Sequence, residues 1–221
     1  MIKAVIFDMD GTALDSMTYG YANNITYLEL LGVDMDHAAI PKLASRGWNL
    51  TADEVNQALG TDFCNKAFKD GYLETHHLMY QNEYKLMPGF IEFLDYLDTK
   101  GIKYGIATAT RLYGAEEVFK RFDLLDRLDF ITTEGRVGKT KNFPDLYIHA
   151  ANLVGCDASN TIVFEDALYA VKTAKDAGFK TIALKEKFFE EDHAEIEAVA
   201  DLFIEDFNDL LNKINKEDYQ L

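Results

Sequence analysis

Short apolar runs alternate with helical patterns along most of this chain. The runs predict buried strands, whereas segments with apolar residues three or four positions apart predict helices packed against them. The predicted strands cover residues 5–7, 103–107, 129–132, 161–164, 180–184 and 202–204. The predicted helices cover residues 88–100, 115–122, 143–154, 167–177 and 190–200, and a further helix follows the last strand. This alternation predicts an α/β fold with a three-layer core, in which helices cover both faces of a parallel sheet.

One long block, residues 16–84, has helical patterns but no convincing strand. The helices predicted in it cover residues 19–31, a segment opened by a capping box at Thr51 and Glu54, and residues 61–82. A helical block of this kind is expected to leave the sheet after the first strand and to return to it before the next. We therefore predict an α-helical domain of residues 16–84, inserted into a core domain of residues 1–15 and 85–221.

The first predicted strand ends in two carboxylates one residue apart, Asp8 and Asp10, and Gly11 then predicts a turn. Open α/β sheets usually place their sites at the carboxyl ends of strands. Carboxylates this close repel each other unless a cation lies between them or one keeps a proton, and both arrangements serve catalysis. The pattern is short, so a solvated turn without a chemical role remains an equal alternative on this motif alone.

Polar residues also follow two other predicted strands: Thr108 to Arg111, and Glu165 with Asp166. Lys139 and Lys141 lie between them, in a loop before the next predicted helix. Hydroxyl and backbone N–H groups bind oxyanions, lysine neutralises them, and carboxylates hold metal ions. Since the carboxyl ends of parallel strands meet at one edge of a sheet, these groups together predict a phosphate site that contains a metal.

The charge balance restricts the class of partner. The 221 residues include 22 basic and 38 acidic side chains, a formal net charge of −16 at pH 7. This charge argues against nucleic acid or an anionic membrane as the partner, and an anionic substrate would need a local cation. No apolar run has the length of a membrane span and the first residues lack a secretory signal, so we expect a cytoplasmic protein. The sequence does not indicate the oligomeric state.

The motifs resemble those of the haloacid dehalogenase superfamily, in subfamily IA, whose helical cap is inserted directly after the first strand. Phe7 to Thr12 is similar to its first motif, Thr108 to its second, Lys141 to its third, and Glu165 with Asp166 to its fourth. The family pattern tends to place its lysine three residues before a Pro-Asp pair, so Pro144 selects Lys141 over Lys139. The resemblance covers essentially the whole chain and implies a Rossmann-like core with a helical cap.

The resemblance also implies a chemistry: a Mg²⁺-dependent phosphatase that hydrolyses a small phosphomonoester, such as a sugar phosphate, through an aspartyl-phosphate. Asp8 would be the nucleophile, and Asp10 would act first as general acid and then as general base. Mg²⁺ would be held by a carboxylate oxygen of Asp8, the backbone carbonyl of Asp10 and the side chain of Asp166. Glu165 would orient this set, with direct ligation as an alternative.

The same resemblance assigns the phosphate-binding groups. The Thr108 hydroxyl and the Ala109 N–H would bind phosphoryl oxygens, and Lys141 would neutralise the charge shared by the phosphate and Asp8. Thr110 and Arg111 are weaker candidates for the same rim. The implied partner is therefore a small phosphorylated molecule.

Asp10, Gly20 and Thr12 distinguish hydrolysis from other reactions of the superfamily. Asp10 argues against dehalogenases, which lack an acidic residue at this position. It also argues against phosphonatases, in which a small residue replaces the acidic one. A β-phosphoglucomutase-like phosphosugar mutase shares all four motifs and remains an alternative. That group carries a histidine ten residues after its acid/base aspartate and a non-threonine after the motif glycine, where this chain has Gly20 and Thr12. A catalytically silent binding protein with this fold is a second alternative, which the intact motifs disfavour.

The inserted helices are expected to select the substrate by closing over it and excluding water. Candidate contacts there are Tyr19, Asn23, Lys42, Arg46 and Trp48. At helix and turn positions, side chains of these types more often serve packing or solvation, so each contact competes with a purely structural role.

Overall fold

A computed structural model describes residues 1–46 and 50–221 of the chain. These residues form two compact units. The core unit consists of Met1–Asp15 together with Lys85–Leu221, and the helical unit consists of Ser16–Tyr84.

The core unit contains a six-stranded parallel sheet. In chain order, the strands of the core unit are β1 (Ala4–Phe7), β2 (Leu14–Asp15), β3 (Lys85–Leu86), β4 (Lys103–Thr108), β5 (Phe130–Thr133), β6 (Thr161–Glu165), β7 (Lys180–Leu184) and β8 (Leu202–Ile204), and all of them except β2 and β3 belong to this sheet. The large sheet has the order β5-β4-β1-β6-β7-β8, and its neighbouring strands all pair in parallel. The predicted α/β fold with a parallel sheet is thus confirmed.

Helices account for most of the remaining regular structure. The helical unit holds α1 (Gly20–Leu30), α2 (Ile40–Ala44), α3 (Ala52–Leu59) and α4 (Asn65–Asn82). The core unit holds α5 (Phe90–Lys100), α6 (Leu112–Arg121), α7 (Glu134–Val137), α8 (Asp145–Leu153), α9 (Leu168–Asp176), α10 (His193–Val199) and α11 (Phe207–Asn215). No helix in the described part of the chain is long and apolar enough to cross a membrane.

The side chains of β1 alternate between the two faces of the sheet, as the period of a strand requires. The Phe7 ring lies 5.1 Å from that of Phe90 on α5 and 5.8 Å from that of Phe207 on α11. Ile6 belongs instead to the buried cluster that contains Tyr147 of α8. Helices therefore cover both faces, and Asp8, two residues after Ile6, follows the strand on the side where α8 packs.

The helical unit has its own buried cluster, which includes Tyr27, Val55 and Phe68. The capping box predicted at the start of α3 is present, with Thr51 and Glu54 bonded to each other reciprocally. Helix α4 begins at Asn65, later than predicted, because the preceding segment bonds to α3 instead. There the Asn56 side-chain amide donates to the Phe63 carbonyl, and its oxygen accepts a hydrogen bond from the Phe63 N–H.

The two-stranded antiparallel sheet of β2 and β3 was not predicted from the sequence. These strands have two residues each, too short to display an alternation. They lie where the chain leaves the core unit and returns to it, and the Met87 N–H extends the pairing by donating to the Ala13 carbonyl at 2.9 Å.

Candidate active site

The sheet order brings the predicted strand-end residues to one edge. Strand β1 lies between β4 and β6, and Phe7 pairs with both Ile106 and Phe164. The residues that follow these positions, Asp8 and Glu165 among them, are therefore level with each other at the carboxyl edge of the sheet. Gly11, with φ of 82°, then turns the chain in the left-handed conformation that favours glycine.

Three buried carboxylates meet at this edge. One oxygen from each of Asp8, Glu165 and Asp166 lies within 4.8 Å of the others, and each residue is at most 6% exposed. The Asp166 Oδ2 atom is buried and has no hydrogen-bond partner among the described residues. An orphaned carboxylate oxygen beside two further carboxylates fits a hard cation such as Mg²⁺, which prefers oxygen ligands.

Lys141 supplies positive charge within this group. Its side chain is 3% exposed, and its Nζ contacts Asp8 Oδ1 and lies 2.6 Å from Glu165 Oε1. Lys139, by contrast, is exposed, and its Nζ lies 4.8 Å from the centre of the Phe143 ring. Of the two lysines in the loop, Lys141 is thus the one placed on the carboxylates.

Two further residues, neither of them predicted from the sequence, hold Lys141 and Glu165 in place. Glu134, the first residue of α7, accepts a 2.7 Å hydrogen bond from the Lys141 backbone N–H. Tyr147, on α8, donates its hydroxyl to Glu165 Oε1 at 2.7 Å. The one sequence signal for Tyr147 is a hydroxyl group at a helix position whose pattern is otherwise apolar.

The three buried carboxylates lie beside the single positive charge of Lys141, and the pKa values of Asp8 and Asp166 are raised. Burial, with the nearby charge of Glu165, raises the pKa of Asp8 to about 8. Burial and the charge of Asp8 raise the pKa of Asp166 well above its usual value. Burial by itself would lower the pKa of Lys141, but the charges of Asp8 and Glu165 outweigh it and raise that pKa, so the lysine stays a cation. A divalent cation would favour the ionised forms of Asp8 and Asp166.

Asp10 and the residues after β4 lie next to this group. Thr108 is 1% exposed, and its Oγ1 accepts a 3.0 Å hydrogen bond from the Thr110 N–H. The Thr110 hydroxyl donates to Asp10 Oδ2 at 2.8 Å, which ties the ends of β4 and β1 together. Ala109 and Arg111 are exposed, and Arg111 directly precedes α6.

The candidate contacts in the helical unit have diverse surroundings within that unit. Asn23 is fully buried, and the half-buried Tyr19 stacks edge-on against Tyr84 at 5.2 Å. Lys42 and Arg46 are exposed, and Arg46 forms a 2.7 Å ion pair with Glu54. Trp48 lies outside the described residues.

The chain is similar to known proteins over most of its length. The profile of the haloacid dehalogenase-like hydrolases matches residues 5–184. The phosphorylated carbohydrates phosphatase of Thermotoga maritima is 27% identical over 82% of this chain and 84% of that protein. The β-phosphoglucomutase of Bacillus subtilis is 25% identical over 83% of each chain. The crystal structure of a HAD hydrolase of family IA, variant 3, from Entamoeba histolytica superimposes with a TM-score of 0.72, at 21% identity over 94% of each chain.

Proposed function

The chain belongs to the haloacid dehalogenase-like hydrolase family, and we propose that it is a Mg²⁺-dependent phosphatase that hydrolyses small phosphorylated sugars through a phosphorylated Asp8. Its assignment as a phosphatase of this family follows from the profile match together with its phosphatase relatives. The magnesium ion, the mechanism and the sugar are the proposed part. One observation carries the metal and the mechanism: the Lys141 ammonium contacts Asp8 while the buried Asp166 Oδ2 has no partner among the described residues. The sugar is proposed from the Thermotoga maritima relative, which is named a phosphorylated carbohydrates phosphatase.

The donor atoms for the metal are oxygens. The carboxylates of Asp8 and Asp166 and the backbone carbonyl of Asp10 would hold Mg²⁺, and Glu165 would orient them from its contact with Lys141. A bound ion would neutralise charge on the phosphoryl oxygens, while Asp8, Asp10 and Asp166 would hold it beside them.

The reaction has two displacements at phosphorus. In the first, an Asp8 oxygen bonds to phosphorus as the bond to the leaving oxygen breaks, and Asp10 gives that oxygen a proton. In the second, Asp10 takes a proton from water, whose oxygen bonds to phosphorus as the bond to Asp8 breaks. Inorganic phosphate is released and both carboxyl groups return to their first state.

The remaining groups of the proposed mechanism stabilise charge. The Thr108 hydroxyl and the Ala109 N–H would donate to phosphoryl oxygens at the end of β4. Lys141 would hold its charge between the phosphate and Asp8. Because Lys141 is buried, solvent screens this charge little. The helical unit, Ser16–Tyr84, would act as the cap that selects the substrate.

A phosphosugar mutase is the second candidate, because the Bacillus subtilis β-phosphoglucomutase is among the similar proteins. The position at which that group carries its histidine is Gly20 in this chain, a buried residue at the start of α1. Glycine has no side chain that could take the place of that histidine. Hydrolysis is therefore the function that these residues support best.

The test is phosphate release from a panel of phosphorylated metabolites, rich in sugar phosphates, with purified protein and Mg²⁺. We expect release from a subset of the sugar phosphates and none from an Asp8→Asn variant that stays folded. Conversion of β-glucose 1-phosphate to the 6-phosphate without net release would favour the mutase. If no member of the panel is hydrolysed faster than by the Asp8→Asn control, the chain is a silent binding protein and the proposal fails.

A further inference from the structure

The buried hydroxyl of Tyr147 has no part in the mechanism above, although it lies at the candidate active site. Tyr147 is fully buried on α8, where its ring packs in the cluster that contains Ile6 and Val163 and lies 6.2 Å from the Phe179 ring. The ring is thus held by the core on the α8 face of the sheet. Its hydroxyl reaches from this core to Glu165 Oε1 at 2.7 Å.

One carboxylate oxygen of Glu165 receives two donors. The Tyr147 hydroxyl and the Lys141 ammonium both bond Glu165 Oε1, at 2.7 and 2.6 Å, and the same ammonium contacts Asp8. A lysine side chain has several rotatable bonds, so its ammonium keeps one position only when its acceptors are themselves fixed. Glu165 is fixed on one side by β6 and on the other by Tyr147.

We propose that Tyr147 is a positioning residue: its hydroxyl fixes the Glu165 carboxylate, which holds the Lys141 ammonium against Asp8. The inference rests on the proposed function, because it assigns Tyr147 to the site at which Asp8 would be phosphorylated. Preorganised charge is what such a site contributes to the rate, and a carboxylate that turns away would take the ammonium with it. The hydroxyl bonds Glu165 rather than Asp8 or Asp166, so it reaches Asp8 through Glu165 and the Lys141 ammonium.

The first test is Tyr147→Phe, which removes the hydroxyl and keeps the ring. With para-nitrophenyl phosphate and Mg²⁺, we expect kcat to fall about tenfold, the size expected for one hydrogen bond to a charged acceptor. The KM is expected to stay the same. The apparent Mg²⁺ affinity, measured by the thermal shift of the substrate-free protein, is also expected to stay the same. A structural defect of the whole site would change these two quantities as well.

The matched control is Tyr104→Phe. Tyr104 is also a buried tyrosine of the core unit, 2% exposed, and its hydroxyl donates to Asp98 Oδ1 at 2.8 Å. It lies near the amino end of β4, opposite to the edge that carries Asp8. We expect Tyr104→Phe to lose stability to a similar extent as Tyr147→Phe, with kcat unchanged.

The decisive test is a double-mutant cycle with Lys141→Met. If Tyr147 acts through the lysine, Tyr147→Phe costs about tenfold in kcat in the parent protein but less than about twofold in the Lys141→Met background. Equal losses in both backgrounds, or a kcat that Tyr147→Phe leaves unchanged, would overturn the positioning role while the phosphatase proposal stands. A parent protein with no more activity than Asp8→Asn would overturn both.

Discussion

Replacing Lys141 by methionine tests whether its buried charge serves catalysis. The variant removes the ammonium that contacts Asp8 and Glu165 and retains a flexible apolar side chain of similar length. Three carboxylates within 4.8 Å then lack this cation. We expect kcat/KM for para-nitrophenyl phosphate to fall by a large factor, while the fold is preserved.

The size of the loss follows from the burial of the lysine. An exposed ion pair contributes at most about 1 kcal/mol, but a preorganised donor in a water-excluded site contributes about 3–4 kcal/mol to the transition state. Lys141 is 3% exposed and belongs to the second class. The expected decrease in kcat/KM is therefore about 10²–10³-fold.

The matched control is Lys139→Met, two residues earlier in the same loop. Lys139 is exposed and lies over the Phe143 ring, away from the carboxylates that Lys141 contacts. Its replacement removes the same charge and is expected to leave kcat/KM close to that of the parent. The reasoning is refuted if a folded Lys141→Met protein keeps kcat/KM within about threefold of Lys139→Met, since an interaction of about 3 kcal/mol changes a rate by two orders of magnitude.

Three further predictions follow from the same contacts. Asp166→Asn is expected to weaken the apparent Mg²⁺ affinity at least about tenfold in a metal titration, and a titration curve equal to that of the parent would contradict its place among the ligands. Thr110→Val removes the hydroxyl bonded to Asp10. This variant is expected to slow hydrolysis of an alkyl phosphate more than that of an aryl phosphate, because the aryl leaving group needs no proton. Thr110→Ser should restore the rate. The pKa of Asp8 is raised from 3.8 to about 8 on folding. Between these pH values the folded protein keeps a proton that the unfolded chain has lost, so the free energy of unfolding decreases as the pH rises from about 4 to 8. In calorimetry, the metal-free protein should therefore melt lower at about pH 8 than at about pH 5, with Mg²⁺ raising the Tm more at the higher pH; an equal effect of Mg²⁺ at both values would contradict this.

The place of the acidic residues could be predicted from the sequence, because the carboxyl ends of adjacent parallel strands share one edge. Asp8, Glu165 and Asp166 each follow an apolar run, and the structure brings them within 4.8 Å of one another. Composition alone did not separate Lys141 from Lys139. Only the family spacing to Pro144 did so, and the structure places Lys141 on the carboxylates.

The residues that hold the lysine could not be predicted. Tyr147 occupies an apolar position of α8, and the partner of its hydroxyl depends on how that helix is rotated against the sheet. Glu134 contacts Lys141 through the backbone of a loop, for which the sequence has no periodic signal. In the helical unit, the sequence predicted α1, α3 and α4 but not the five-residue α2, and periodicity could not tell that the Asn23 side chain is buried.

The most direct test of the account is to trap phosphate on Asp8. In an Asp10→Asn protein, an aryl phosphate can still transfer its phosphoryl group, because its leaving group needs no proton, but the water of the second displacement lacks its base. After a single turnover, acid quench and borohydride reduction, we predict that position 8 is converted to homoserine in proportion to the aryl alcohol released. Release of the alcohol without modification of position 8, or with modification at another residue, would contradict the account.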